Sequence, residues 1–159
     1  MVNSQRKGAS AEREVAGLIF QNTGVRLKRN LEQARGGGHD LVPDGEGQHW
    51  PLAVEIKNYA EALPGSITAW WRQTVTQAEL VNLIPVLWYK SRRRWRVMLP
   101  GYVVLQDAPW GDIEAYTITI TPEMFFAIYR EILLEKLPNA ETEKIQLPGP
   151  ANEYSRHSE

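Results

Sequence analysis

The alternation of hydrophobic and polar positions predicts short strands separated by three helices. Residues 10–22 place apolar side chains at helical spacing, which predicts an amphipathic helix beginning at Ser10. Residues 66–83 carry a second helical stripe that includes two adjacent tryptophans. A third helix is predicted from Thr121 to about Leu137, because a capping hydroxyl is followed by proline and an acid.

Shorter runs with a period of two predict the strands. They fall at residues 25–29, 39–43, 52–57, 84–90, 94–100 and 115–120. The fourth and fifth of these flank a short turn at residues 91–93 and are predicted to form a hairpin. Helices interspersed among strands in this order predict an α/β fold, with the β-sheet flanked by helices.

Length and composition favour one globular domain. The 159 residues suffice for a single core, expected over residues 1–137, and the tail at 138–159 is rich in Pro, Glu, Asn and Ser and predicted to be disordered. Cysteine is absent, which excludes disulfides and thiolate metal sites. Neither a membrane-spanning run nor a signal-peptide pattern is found, so a cytoplasmic protein without a membrane partner is expected.

Charge is unevenly distributed along the chain. Residues 1–104 carry 14 Lys and Arg against 9 Asp and Glu, whereas residues 105–159 carry 4 against 10. This asymmetry suggests a basic surface for nucleic acid beside an acidic C-terminal region. Ordinary solvated charge explains it equally well.

The strand at 52–57 breaks its apolar pattern with Glu55 and Lys57, which must share one face. A solvated salt bridge on a half-exposed strand is the ordinary explanation. However, Glu12 continues the apolar stripe of the first helix and Asp40 lies near the start of the second predicted strand. Carboxylates together with the Ile56 carbonyl would suit Mg²⁺, and the lysine could act on the attacking water or the phosphate.

Three segments together resemble a known group of enzymes. "KGASAEREV" (7–15), "HDLV" (39–42) and "VEIK" (54–57), in this order and spacing, resemble the PD-(D/E)xK nuclease superfamily. Within it the chain is most similar to archaeal-type Holliday junction resolvases and their phage-encoded relatives. The resemblance implies a restriction-endonuclease-like fold with a mixed β-sheet, and a homodimeric, Mg²⁺-dependent nuclease, with Mn²⁺ expected to substitute.

The resemblance also implies roles for individual residues. Glu12, Asp40 and Glu55 correspond to the metal-site acids and Lys57 to the catalytic lysine. In the phage-encoded relatives a helical glutamine contributes to the site. Gln73 is the candidate here, with two open alternatives. Gln77 lies one turn later on the same helix face, and either side chain could simply face solvent.

Several arginines are candidates for binding the DNA backbone. Arg13 and Arg29 match positions that contact DNA in the resolvases, although surface charge is the alternative for both. Arg92, Arg93 and Arg94 lie at the predicted hairpin tip and could contact phosphates. A solvated turn is an equal alternative for this cluster.

Three functional hypotheses follow. The first is a metal-dependent endonuclease that cuts branched DNA during phage or mobile-element recombination, in the cytoplasm of a bacterial or phage-infected cell. The second keeps the chemistry but acts on nicked, flapped or duplex DNA. The third is a non-catalytic DNA-binding module, which four polar residues retained in the expected order argue against.

Overall fold

The computed structural model of the protein describes residues 2–32, 38–105 and 115–133. Its helices are α1 (Val2–Thr23), α2 (Pro64–Val81) and α3 (Pro122–Ile128), together with a 3₁₀ turn at Gly101–Val103 and a π-helical turn at Tyr129–Leu133. Its strands are β1 (Leu27–Arg29), β2 (Leu41–Pro43), β3 (Leu52–Lys57), β4 (Ile84–Ser91), β5 (Arg94–Pro100) and β6 (Thr117–Ile120). The predicted tail lies outside these residues.

The strands form one sheet in the order β1-β2-β3-β4-β5-β6. Neighbours are antiparallel except for β3 and β4, which run parallel from Leu52↔Ile84 to Lys57↔Tyr89. Parallel neighbours need a long connection, and α2 provides it. The predicted order of elements and the α/β class with a mixed sheet are therefore confirmed.

One face of the sheet is covered by α1 and α3. Ala11, Val15 and Ile19 recur every four residues along α1, so they lie on one side of the helix and are buried. They belong to a core cluster that also contains Val54 and Ile56 from β3, with further members Val86, Trp88, Val97, Phe125 and Phe126. This cluster is the main hydrophobic core of the described residues.

The opposite face is covered by α2. Trp71 packs there in a smaller cluster with Leu87 and Tyr89 of β4. Because side chains alternate along a strand, Glu55 and Lys57 of β3 point to this face as well. The sheet is thus sandwiched between helices, and the two charged residues lie beneath α2.

Some predicted boundaries of the helices are wrong. Helix α1 begins at Val2 and not at Ser10, because half of the preceding residues are good helix formers and none of them is a proline. Its buried stripe begins at Ala11, and Glu12 lies beside that stripe and is only partly buried. Helix α2 begins at Pro64, since proline suits the first turn, and it ends before Asn82, whose left-handed backbone (φ 53°) stops it.

Strand boundaries also differ from the prediction. β1 begins at Leu27 and β2 at Leu41, each two residues later than expected, because only three residues of each strand pair with the other. β6 likewise begins at Thr117. None of the helices in the described part of the chain combines the length and the hydrophobicity that a membrane span requires.

The predicted hairpin between β4 and β5 is confirmed, and it turns on two residues. Arg92 and Arg93 both have left-handed backbones, with φ of 51° and 65°. Such two-residue turns normally use Asn-Gly, because a left-handed backbone strains residues with a Cβ. Tyr89 of β4 pairs with Lys57, the last residue of β3. Arg92 in the turn comes three residues after Tyr89, so the turn extends about 10 Å beyond the end of β3.

Replacing the turn by its preferred residues should stabilise the protein. We expect Arg92→Asn combined with Arg93→Gly to raise the free energy of unfolding by about 1–2 kcal/mol, since it relieves two left-handed backbones. Chemical denaturation measures the change. Arg94→Gly is the matched control, because it removes an arginine from extended backbone and should lower stability. Equal stability of the turn variant and the unmodified protein would contradict the strain at Arg92 and Arg93.

Candidate active site

Asp40 is held at the point where β2 separates from β3. The two strands pair only at Leu41↔Val54, and the Asp40 N–H donates to the Val54 carbonyl at 2.8 Å. Beyond this point the Asp40 side chain provides the next hydrogen bond to β3: its Oδ2 accepts from the Ile56 N–H at 2.6 Å. The carboxylate therefore replaces a backbone carbonyl and is fixed against the edge of β3.

The backbone of Ile56 contributes a further oxygen to this edge. In an extended strand the N–H and C=O of one residue point to the same side. Since the Ile56 N–H points at Asp40, its carbonyl oxygen points to that side too. One backbone oxygen and one carboxylate thus lie where β2 has diverged.

Glu55, Lys57 and Gln73 form a hydrogen-bonded triangle on the α2 face. The Lys57 Nζ lies 2.6 Å from Glu55 Oε1 and donates to Gln73 Oε1 at 3.1 Å. The Gln73 Nε2 donates to the same Glu55 oxygen at 3.3 Å. The side chains of Glu55 and Lys57 are only 3% and 15% exposed, so the solvated salt bridge expected for a half-exposed strand is ruled out.

Glu55 lies in an environment that disfavours its negative charge. Its pKa is raised to about 7, mainly by burial and further by the nearby charge of Asp40. Lys57 opposes both effects, and Glu12 adds to them. Glu55 Oε2 is buried and has no hydrogen-bond partner among the described residues. A bound cation would satisfy this oxygen and stabilise the ionised carboxylate.

Glu12 reaches the site from α1. Its Oε2 accepts a charge-assisted hydrogen bond from the Arg29 Nε on β1, and both side chains are partly buried. The pair connects α1 to the short strand that precedes Asp40. Arg29 is therefore partly neutralised by Glu12, and its charge is not wholly available to a ligand.

The predicted acids, Lys57 and Gln73 surround a single cavity of about 590 Å³. Its lining consists of Lys7, Gly8, Glu12, Asp40, Glu55, Ile56, Lys57, Asn58, Tyr59, Ala60 and Gln73. These residues come from α1, β3, α2 and the segments that precede β2 and follow β3. The fold thus brings together the residues that the sequence singled out for metal binding and catalysis.

The other predicted residues lie apart from this cavity. Arg13 is exposed on α1, and Arg92, Arg93 and Arg94 are exposed at the hairpin tip. Gln77 is not among the residues that line the cavity, and its Oε1 is buried without a hydrogen-bond partner in the described part of the chain. Gln73 is thus the candidate glutamine that hydrogen-bonds with Glu55 and Lys57.

Some cavity residues were given no role from the sequence, among them Lys7 and Tyr59. Lys7 brings a second cation, and it lies within the segment that carries the family resemblance. Tyr59 follows Lys57 by two residues, a spacing that could have indicated a shared face. An aromatic residue two positions after the candidate lysine was the available signal.

The oxygen donors suit a hard cation that keeps part of its water. Among the described residues, no group of three or more His, Cys, Asp and Glu side chains could hold a metal by itself. Asp40 and Glu55 would need the Ile56 carbonyl and water to complete a coordination shell. Mg²⁺ commonly binds in this way, with few carboxylates and several waters.

The raised pKa of Glu55 predicts a particular pH dependence of stability. A carboxyl with a pKa of about 7 when folded, against an ordinary value of 4.5, binds its proton more tightly in the folded state. Stability should therefore fall as pH rises from about 4.5 to 7, on the order of 3 kcal/mol in total. Glu55→Gln, which mimics the neutral form, should lose this decrease.

Urea denaturation in chelator-treated buffer between pH 5 and 8 measures the effect. The difference in unfolding free energy between the unmodified protein and Glu55→Gln isolates the titration of Glu55, because the other groups titrate alike in both proteins. Glu79→Gln, at an exposed position on α2, is the matched control and should follow the unmodified protein. Parallel pH profiles for the unmodified protein and Glu55→Gln would contradict the raised pKa.

One solved structure illustrates what the chain is similar to. It is the 1.6 Å resolution structure of Archaeoglobus fulgidus Hjc, a Holliday junction resolvase from an archaeal hyperthermophile. The alignment has a TM-score of 0.41 and 18% sequence identity, and it covers 72% of this chain and 97% of that one. No curated protein matches the chain.

A protein family matches almost the whole chain. Its description is "Phage putative PDDEXK endonuclease", and the match spans residues 3–146. That range includes Glu12, Asp40, Glu55 and Lys57, the residues that surround the cavity. The predicted membership of the PD-(D/E)xK superfamily is confirmed: the chain belongs to the phage PDDEXK endonuclease family.

Proposed function

We propose that this endonuclease-family protein hydrolyses phosphodiester bonds in branched DNA with the help of a divalent metal, Mg²⁺ or Mn²⁺. The observation that carries the proposal is the buried Glu55. Its Oε2 has no hydrogen-bond partner in the described residues, while Lys57 and Gln73 hold its other oxygen. A carboxylate buried at such cost beside Asp40 is explained by a cation that binds both.

The metal would be held by Asp40, Glu55 and the Ile56 carbonyl. These three oxygens come from β3 and from the residue that precedes β2, and all three residues line the cavity. Glu12 already pairs with Arg29, so it acts through a water rather than as a direct ligand. When bound, the metal polarises a phosphate oxygen and lowers the pKa of its water.

Lys57 supplies the positive charge next to that metal site. Its ammonium group is anchored by Gln73 Oε1 and Glu55 Oε1, so its position is set before substrate arrives. From there it can orient the attacking water and stabilise negative charge that develops on the phosphorus. Gln73 acts as a positioning residue, because it contacts both Lys57 and Glu55.

The exposed arginines are assigned to the DNA backbone. The hairpin tip with Arg92, Arg93 and Arg94 projects from the same end of the sheet as Lys57. Phosphates next to the one in the cavity lie within reach of such a projection. The strained turn supports this role, because arginine occupies two positions where Asn-Gly would be more stable. Arg13 and Arg29 on the α1 side are assigned to the backbone as well.

Branched DNA and a homodimer are proposed together. A four-way junction has two symmetric scission sites, which a two-fold pair of active sites would match. Trp71 is buried within the protomer, so α2 would contribute its exposed residues Leu80 and Val81 to the interface. Nicked, flapped or duplex DNA are the alternative substrates. A non-catalytic module is disfavoured, because buried Glu55 and Lys57 have no purely structural need.

A cleavage panel tests the proposal. Four-way, flapped, nicked and linear DNA of matched sequence are incubated with Mg²⁺, Mn²⁺ or chelator, and sedimentation in the same buffers reports a dimer. We expect metal-dependent cleavage, fastest on the four-way substrate.

Asp40→Asn and Lys57→Ala should each reduce cleavage more than a hundredfold, while DNA binding in Ca²⁺ stays within a few-fold of the unmodified protein. Cleavage by Asp40→Asn at the unmodified rate would overturn the proposed site.

The hairpin arginines should affect binding alone. Replacing Arg92, Arg93 and Arg94 together by Ala should weaken DNA binding regardless of sequence. It should also flatten the salt dependence by about one log unit for each phosphate that the protein no longer neutralises. Titrations in Ca²⁺ at several salt concentrations measure both quantities. Arg72→Ala, exposed on α2 away from the cavity lining, is the control. An unchanged salt dependence in the triple variant would contradict the role in DNA binding and would mean that the hairpin tip is an ordinary solvated turn.

A further inference from the structure

Two stacked aromatic rings stand at the rim of the cavity. Tyr59 lines the cavity, and its ring lies on Trp70 of α2, with centroids 5.1 Å apart and planes 19° from parallel. The Trp70 ring in turn packs against Tyr89, a buried residue of β4, with ring centroids 6.4 Å apart. The outer ring is therefore supported from beneath by a helix and a strand.

Tyr59 is poorly explained as a cover for the core. It is 58% exposed, and neighbouring Leu63 is exposed as well, so much apolar surface stays in water. The side chain of Tyr59 is not part of either hydrophobic cluster of the described residues, so packing of the core does not explain a tyrosine at this position. What the position provides is a flat ring, pre-oriented by Trp70, next to a cavity that contains two lysines and three acids.

The distance from the reacting group limits what this ring can contact. Tyr59 is two residues after Lys57, so their Cα atoms are at most about 7 Å apart. A phosphate held at Lys57 therefore brings its attached nucleoside into the neighbourhood of the tyrosine ring. The ligand that fits a flat, exposed aromatic surface at this place is a nucleobase.

We infer that Tyr59, backed by Trp70, stacks on an unpaired nucleobase adjacent to the phosphate in the cavity. In continuous duplex both faces of each base are covered by neighbouring bases, so the ring finds no free face. At a branch point, flap or gap one face is open. Tyr59 thereby favours DNA in which the base beside the cut is unstacked. The inference rests on the proposed function and specifies how that site selects its substrate.

Binding experiments with a fluorescent base test this directly. Asp40→Asn protein in Ca²⁺ is titrated with flapped, gapped and fully paired DNA that carries 2-aminopurine at successive positions around the branch. We expect fluorescence quenching at one position next to the branch. Adding Tyr59→Ala should abolish the quenching and weaken binding to flapped and gapped DNA roughly ten- to a hundredfold, with duplex binding unchanged.

Matched variants separate base stacking from misfolding and from self-association. Tyr59→Phe keeps the ring and should retain the quenching, which also controls for folding. Tyr116→Ala removes an exposed tyrosine near β6, away from the cavity lining, and should change nothing. Quenching that persists in Tyr59→Ala, or an equal loss of affinity for duplex, would overturn the inference. So would a change of sedimentation coefficient without loss of quenching, which would make this patch a contact between copies.

The readout is independent of catalysis. If the unmodified protein cleaves no DNA but Tyr59-dependent quenching is observed, the proposed chemistry fails while base stacking stands. If cleavage is metal-dependent but Tyr59→Ala binds and quenches as before, the chemistry stands and the stacking role fails.

Discussion

The structure depends on one costly feature, a carboxylate buried in the face of a sheet. Glu55 is 2% exposed, and only one of its oxygens has a partner among the described residues. Desolvating a charged carboxylate costs several kcal/mol, roughly, and the nearby Asp40 charge adds to that cost. Lys57 and Gln73 offset part of it. The pKa of Glu55 stays raised because they compensate only part of the burial.

The surrounding elements can be understood from this constraint. β2 pairs with β3 at a single position and then diverges, so the edge of β3 is open next to Ile56. The Ile56 N–H donates there to the Asp40 carboxylate instead of to a strand carbonyl. The parallel β3–β4 pair requires a crossover, and α2 in that crossover places Gln73 over Lys57. Packing on both sheet faces holds these elements rigidly, so the polar groups meet in a fixed arrangement.

The sequence predicted the order of elements, because that order follows from local periodicity, and the resemblance to nucleases predicted the mixed sheet. Strand alternation also placed Glu55 and Lys57 on one face. It could not choose between Gln73 and Gln77, since that choice depends on how α2 is rotated against the sheet. Nor could it show that the Asp40 side chain replaces a backbone carbonyl, because this requires the point at which β2 and β3 separate.

Two further features depend on tertiary packing. Burial excluded a solvated salt bridge between Glu55 and Lys57. That burial comes from α2 lying over β3. Tyr59 received no role from the sequence, because its stacking partner Trp70 lies eleven residues further along the chain. Short sequence patterns selected the candidate residues, whereas long-range contacts defined their geometry.

The central claim is that Asp40, Glu55 and the Ile56 carbonyl together bind one divalent metal. Anomalous diffraction from crystals soaked in Mn²⁺ tests it most directly. We expect one strong peak in the cavity, about 2.0–2.4 Å from an oxygen of each of these three residues, and no peak in Glu55→Gln crystals. A peak elsewhere in the cavity, with Glu55 still bound only to Lys57 and Gln73, would contradict the claim.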